Sequence, residues 1–134
     1  MESVVIQLST GRRPNVLNLT QACASFVSPL GSGQLNVFVP HATAGVAIFE
    51  LGAGSDDDLL AALDTLLPGD GRWVHRHGSA GHGRDHVLPA LIAPSIVVPV
   101  LDGQLALGTW QSIALVDLNV DNPDREVRLS FIAG

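Results

Sequence analysis

The chain has no lysine; all seven basic residues are arginines. That removes Schiff-base chemistry and a lysine-bearing phosphate loop. It has no tyrosine, so a tyrosine acid or base is excluded. Charge is scarce, at 15% of residues, and 13 acids against 7 arginines leave a net charge of -6. No basic run exists, so the electrostatic footprint of a nucleic-acid or membrane-surface protein is missing. No apolar run reaches the ~18 residues of a membrane span. Met1 to Thr10 lacks the charged and apolar regions of a signal peptide, so the cytoplasm is the expected compartment. Cys23 is the one cysteine, which rules out an intrachain disulfide. Among Ala22, Ala24 and Phe26 it reads as a buried, inert thiol.

What is present is apolar: 46% of 134 residues are hydrophobic, enough for one compact domain spanning 1–134. With so few charges to cover the outside, some apolar surface is expected to meet another subunit. Ser3 to Ser9 alternates and is β-branched, a strand signal, and Asn15 to Asn18 continues extended. Thr20 is placed to cap a helix to about Val27. Leu35 to Val39 and Ala44 to Phe49 read as strands. Ser55 is placed to cap a helix whose first turn holds Asp56, Asp57 and Asp58, acids that complement the helix dipole. Leu59, Leu60, Leu63, Leu66 and Leu67 follow at helical spacing. A short helix from His86 to Ile92 precedes strands at Ser95 to Val100, Gln104 to Leu107, Ile113 to Leu118 and Val127 to Ile132. Asp102-Gly103 is a hairpin signal and Asn122-Pro123 a turn.

Arg72 to Asp85 fits none of these patterns. It is glycine-rich and lacks apolar periodicity, and a loop of that length in a compact domain is commonly functional or disordered. Four of the five histidines lie in or beside it. His75 and His77, two apart, share a face in extended backbone. His82 and His86, four apart, share one in a helix. Zinc takes imidazole readily, yet a histidine- and glycine-rich tract is also what a solvated loop looks like. His41 follows Pro40 at a strand-to-loop corner, equally suited to a cleft or to the surface. Gly108-Thr109-Trp110-Gln111 reads either as a core tryptophan or as an aromatic pocket wall with Gln111 as a polar contact. Glu50 closes an apolar strand, where a carboxylate needs a partner or water. It is a candidate general acid or base, or a carboxylate behind a ligating histidine.

Together these clusters resemble one family. His41-Ala-Thr-Ala-Gly with Glu50 nine residues on, Trp73-x-His75, His86 before a short helix, Val98-Pro-Val100 and Leu107-Gly-Thr-Trp-Gln111 look like the YjbQ-like family, often labelled secondary thiamine-phosphate synthase. The resemblance runs in order along nearly the whole chain. It implies an α+β fold of mostly antiparallel sheets with a few short helices, a homotrimer, and a divalent metal, usually taken in the family to be zinc, on His41, His75 and His86. Beside that metal, Glu50 and Gln111 are expected to face the cleft as catalytic residues, with Thr43, Thr109 and Trp110 in the substrate pocket. His77 and His82 match no family position and are expected to line the cleft mouth. The chain departs from the family at Ala42, Phe49 and the Asn119 to Arg125 turn.

Three functions compete. One is a metal-dependent enzyme with thiamine-phosphate synthase activity, joining a pyrimidine diphosphate to a thiazole phosphate with release of pyrophosphate. The histidine set favours zinc over magnesium, so this activity is expected to be secondary. Another is a zinc-dependent hydrolase with Glu50 as base. The last is a non-enzymatic trimer that binds a phosphorylated metabolite or stores metal. No nucleic-acid or membrane partner is expected.

Overall fold

The apolar run Ile113-Ala-Leu-Val116 organises the molecule. Every residue from Ile113 to Asn119 is buried in the computed structural model, which describes residues 1–134. Ile113 and Leu115 face one core, while Val116 and Leu118 face another. A strand covered on both faces gains nothing from alternating apolar and polar residues, hence the unbroken run.

Around it lie β1 (Glu2–Ser9), β2 (Asn15–Asn18), α1 (Thr20–Val27), β3 (Gly33–Phe38), β4 (Ala44–Phe49), α2 (Ser55–Leu66), α3 (Leu88–Leu91), β5 (Ser95–Leu101), β6 (Gln104–Leu105), β7 (Ser112–Asp117) and β8 (Asp124–Ala133). The fold is α+β. All pairings are antiparallel, in a five-stranded sheet of order β1-β8-β3-β5-β6 and a three-stranded sheet of order β2-β7-β4. The larger core lies between the sheets. It takes Leu35 and Val37 from β3, Val98 and Val100 from β5, Val127 and Leu129 from β8, and Leu19, Cys23 and Val27 at α1. Cys23 is fully buried, and burial pushes its thiol pKa up to about 12, which leaves it inert. The smaller core lies on the other face of β7 and holds Leu63 and Leu67 of the α2 end with Leu88 of α3. Each fully buried leucine contributes about 2 kcal/mol. No helix is long and apolar enough to cross a membrane.

Several element ends differ from the sequence expectation. Thr20 does not cap α1; Leu19 holds that position, and the Thr20 hydroxyl accepts a hydrogen bond from the Ile113 N–H at 2.9 Å. Gly54, at φ 97, precedes α2 in place of Ser55. The helix expected from His86 to Ile92 divides into a 3-10 helix at His82–His86 and the single turn of α3. Pro89, near the start of α3, has no N–H to continue the 3-10 ladder.

The register decides which residues meet. Ala44 pairs with Asp117 and Phe49 with Ser112. The loop before β4 and the turn after β7 therefore share one end of the small sheet. Glu50 and Gln111 share the other.

Candidate metal centre

A segment without strand or helix must be held by its side chains, and Trp73 to Gly81 is. Trp73 Nε1 donates to the Pro68 carbonyl at 2.8 Å, and its ring packs in the smaller core. Arg84 Nη1 donates to Asp64 Oδ1 at 2.8 Å and to the Leu67 carbonyl at 3.1 Å, tying the 3-10 helix to α2. Gly83 lies against Trp73 and the His75 carbonyl, so closely that a Cβ would overlap both. On the far side, Asp121 Oδ2 accepts from the Ser79 N–H at 3.1 Å and the Ser79 hydroxyl at 3.0 Å.

These anchors bring four imidazoles together. His75, His77, His82 and His86 each offer a ring nitrogen, and all four nitrogens lie within 4.8 Å of one another. His82 Nε2 and His86 Nε2 are 3.0 Å apart. The ring centroids of His75 lie 4.0 Å from those of both His77 and His86. Desolvation first, and neighbouring histidines second, hold the His75 and His86 pKa values below the ordinary 6.5, so both rings are neutral near pH 7. Neutral imidazole is the form that binds a metal.

His82 is buried, and its other nitrogen is the informative one. Nδ1 lies 2.9 Å from Asp121 Oδ2 and 3.2 Å from Asp85 Oδ2. Those are ion-pair distances, yet neither contact is aligned as a hydrogen bond, and Nδ1 is the one buried side-chain polar atom left without a partner. A ring with one nitrogen in a ligand cluster and the other against carboxylates has the build of a backed metal ligand. Two nitrogens each about 2.1 Å from one zinc ion are at most about 4.2 Å apart. The histidine set therefore fits a zinc-like ion after small ring rotations at its widest pair.

His41, expected in the ligand set, stands outside this cluster. Its Nε2 accepts a hydrogen bond from the Glu126 N–H at 2.9 Å, next to the point where β3 ends. A backbone N–H only donates, so the Nε2 lone pair is occupied and the neutral ring carries its proton on Nδ1. In this conformation neither nitrogen is free to bind a metal. His82 and His77, expected to line the cleft mouth and not to be ligands, both stand in the cluster.

His41 does line the same cleft as His77, His82 and His86, a cavity of about 390 Å³ that also meets Thr43, Asn119 and Arg125. Thr43 stands in this cleft. Its Oγ1 accepts from Arg125 Nη2 at 2.8 Å and Asn119 Nδ2 at 3.1 Å. Arg125 grips Asp117 with two bonds, Nε to Oδ2 at 2.7 Å and Nη2 to Oδ1 at 3.0 Å, both residues being nearly inaccessible. Thr10 Oγ1 adds a third donor to that carboxylate at 2.9 Å.

Glu50 and Gln111, expected to face this cleft, do not. Glu50 is exposed beyond the far end of β4, roughly 20 Å of strand from Thr43. Gln111 Oε1 accepts from the Gly108 N–H at 2.8 Å, closing its own turn beside a groove along α1. Thr109 is exposed, and Trp110, 73% accessible, is neither core nor cleft wall. The reason is the β4–β7 register, which puts these residues at the end opposite the histidines.

Of the residues sequence reasoning left out, Asp117 carried a readable signal. An acid inside a buried apolar run needs a buried partner, and Arg125 is that partner.

The sequence profile described as UPF0047 protein YjbQ-like matches residues 4–134. The chain belongs to that family. It is similar to a UPF0047 protein of Mycobacterium tuberculosis, 59% identical with the whole of both chains covered. Among solved structures it is similar to a hypothetical protein of Aeropyrum pernix, 34% identical over 100% of both chains with a TM-score of 0.88. A YjbQ/UPF0047 family protein of Clostridium acetobutylicum is 29% identical over 96% of this chain and 99% of that one, with a TM-score of 0.85. The YjbQ-like fold expected from the motifs is the fold observed.

Proposed function

We propose that this YjbQ family member is a metal-dependent enzyme acting on a small phosphorylated metabolite, with a zinc-like ion held by the histidine cluster. One observation carries the reading: four imidazole nitrogens within 4.8 Å of one another, with the buried His82 backed by two carboxylates. Histidine donors favour zinc over magnesium. His82 and His86 ride on the 3-10 helix and form the rigid half of the set, while His75 and His77 come from the preceding strandless segment. When bound, the ion supplies a Lewis acid that polarises a phosphoryl or carbonyl oxygen. The side chains bind and orient the substrate beside it. The secondary thiamine-phosphate synthase activity implied by the family resemblance belongs to this reading, because a diphosphate leaving group needs its charge neutralised. The cleft faces it with arginine and histidine.

A second reading has its own support. Four protein ligands close a zinc site and three leave it open. If His77 ligates together with the other three, the protein is a metal-binding or structural trimer without turnover. A chelator-stripped sample reloaded with one equivalent of zinc, screened against a panel of phosphorylated metabolites, separates the readings. Substrate loss only in the loaded sample supports the enzyme. No turnover, together with four-nitrogen coordination by X-ray absorption, supports the closed site.

The assembly belongs to the same proposal. Phe38, Val97, Leu101 and Ile132 are exposed on strands of the five-stranded sheet. Covering them in a cyclic homotrimer accounts for a surface so short of charge.

A further inference from the structure

The histidine cleft is chemically unlike the rest of this acidic chain. The chain has 13 acids and 7 arginines, yet the cleft's only carboxylate is Asp121. That carboxylate is already engaged, since its Oδ2 accepts two bonds from Ser79 and stands 2.9 Å from His82 Nδ1. The remaining ionisable groups on the wall are Arg125 and four histidines. With Arg125 ion-paired to Asp117, what this wall offers an anion is a set of N–H donors rather than a net positive charge.

Two of these groups are aimed by the fold rather than left mobile. Arg125 is 2% exposed. Its Nε and Nη2 are taken by Asp117 and Thr43, and Nη1 has no partner in the chain. Because His82 Nδ1 is the sole buried side-chain polar atom without a partner, Nη1 is not sealed in the core, and this cleft is the one cavity that Arg125 lines. His41 is fixed from behind by the Glu126 N–H, which forces the proton onto Nδ1 and makes that atom a donor.

We propose that Arg125 Nη1 and His41 Nδ1–H form an oxyanion seat that holds the phosphoryl group of the substrate across the cleft from the histidine cluster. The proposal rests on the function above only for what faces the anion; neither residue is in the candidate ligand set. The chemistry distinguishes phosphate from carboxylate. A planar carboxylate is recognised by two parallel N–H groups of one guanidinium, and here that fork is spent on Asp117. A single Nη1 plus a histidine from a different loop approach from separate directions, which suits a tetrahedral group. His41 is then a donor to substrate and not a metal ligand.

The test uses the full chain, stripped of metal by chelator, in a phosphate-free buffer. Titration calorimetry with inorganic phosphate should give saturable binding of one phosphate per chain, displaced by sulfate and not by acetate. His41→Phe keeps an aromatic ring but removes both the Nδ1 donor and the acceptor of the Glu126 N–H, and should weaken phosphate at least tenfold while leaving zinc stoichiometry unchanged. Arg125→Lys should weaken it further. Because that substitution disturbs a buried ion pair, long-range proton–nitrogen NMR of histidine in the unmodified protein gives a readout that needs no variant: His41 should carry its proton on Nδ1. Failure of the unmodified protein to bind phosphate, displacement by acetate as easily as by sulfate, an Nε2-protonated His41, or loss of zinc in His41→Phe would each overturn the seat. Phosphate binding that survives in a protein unable to hold zinc would sink the metal reading and leave the seat standing.

Discussion

Asp85 shows how a single residue ties the histidine cluster to stability. Burial pushes its carboxyl up from 3.8 to about 6, against the opposing pull of His82 and Arg84. A raised acid pKa means the folded state holds the proton more tightly than the unfolded chain does. The linked stability is complete below about pH 4 and is lost as pH rises through about 6. In metal-free protein, Asp85→Asn should therefore gain on the parent between pH 4 and pH 7.5, by up to about 3 kcal/mol for a shift of this size. Urea unfolding at the two pH values reads this, and a constant difference would contradict it. The Arg125–Asp117 pair should behave as a buried ion pair. Asp117→Ala strands an arginine in the core and should cost about 3–5 kcal/mol, whereas replacing both residues by leucine should recover most of that. Equal losses in the single and double variants would show that the pair is not the unit. Sequence showed the histidines and Thr43 as candidates, but not which lone pair of His41 is free, because that depends on a backbone N–H 85 residues away.

At the scale of elements, the histidine segment depends on close backbone approach. Gly83→Ala would drive a methyl into Trp73 and the His75 carbonyl. It should destabilise by about 1–3 kcal/mol, in the range of overpacking, and weaken zinc binding as His75 is displaced. A variant of unchanged stability and zinc affinity would show that the segment yields easily at this contact. Strands and helices were largely legible because hydrophobic periodicity is a local signal: β1, β4, α2 and β7 all stand where their patterns put them. Helix starts were less so, since Thr20 is occupied by Ile113 and a left-handed glycine precedes Ser55. The misplaced part of the site was Glu50 with Gln111. Sequence order puts Glu50 near His41, but a strand carries it to the opposite end of the sheet, and strand direction is set by pairing.

At the scale of the whole molecule, apolar side chains on the larger sheet and a surface poor in charge point to a partner surface. Light scattering should give three times the 14.0 kDa chain mass at micromolar concentration, and a monomer mass would refute the trimer. The central claim concerns the histidine cluster itself, and metal stoichiometry tests it most directly. After dialysis against zinc and removal of the free ion, the parent protein should retain one zinc per chain by elemental analysis. His82→Ala and His86→Ala should each lose most of it, while His41→Ala should keep it. No retained zinc in the parent, or loss with His41→Ala and retention with His82→Ala, would contradict the account.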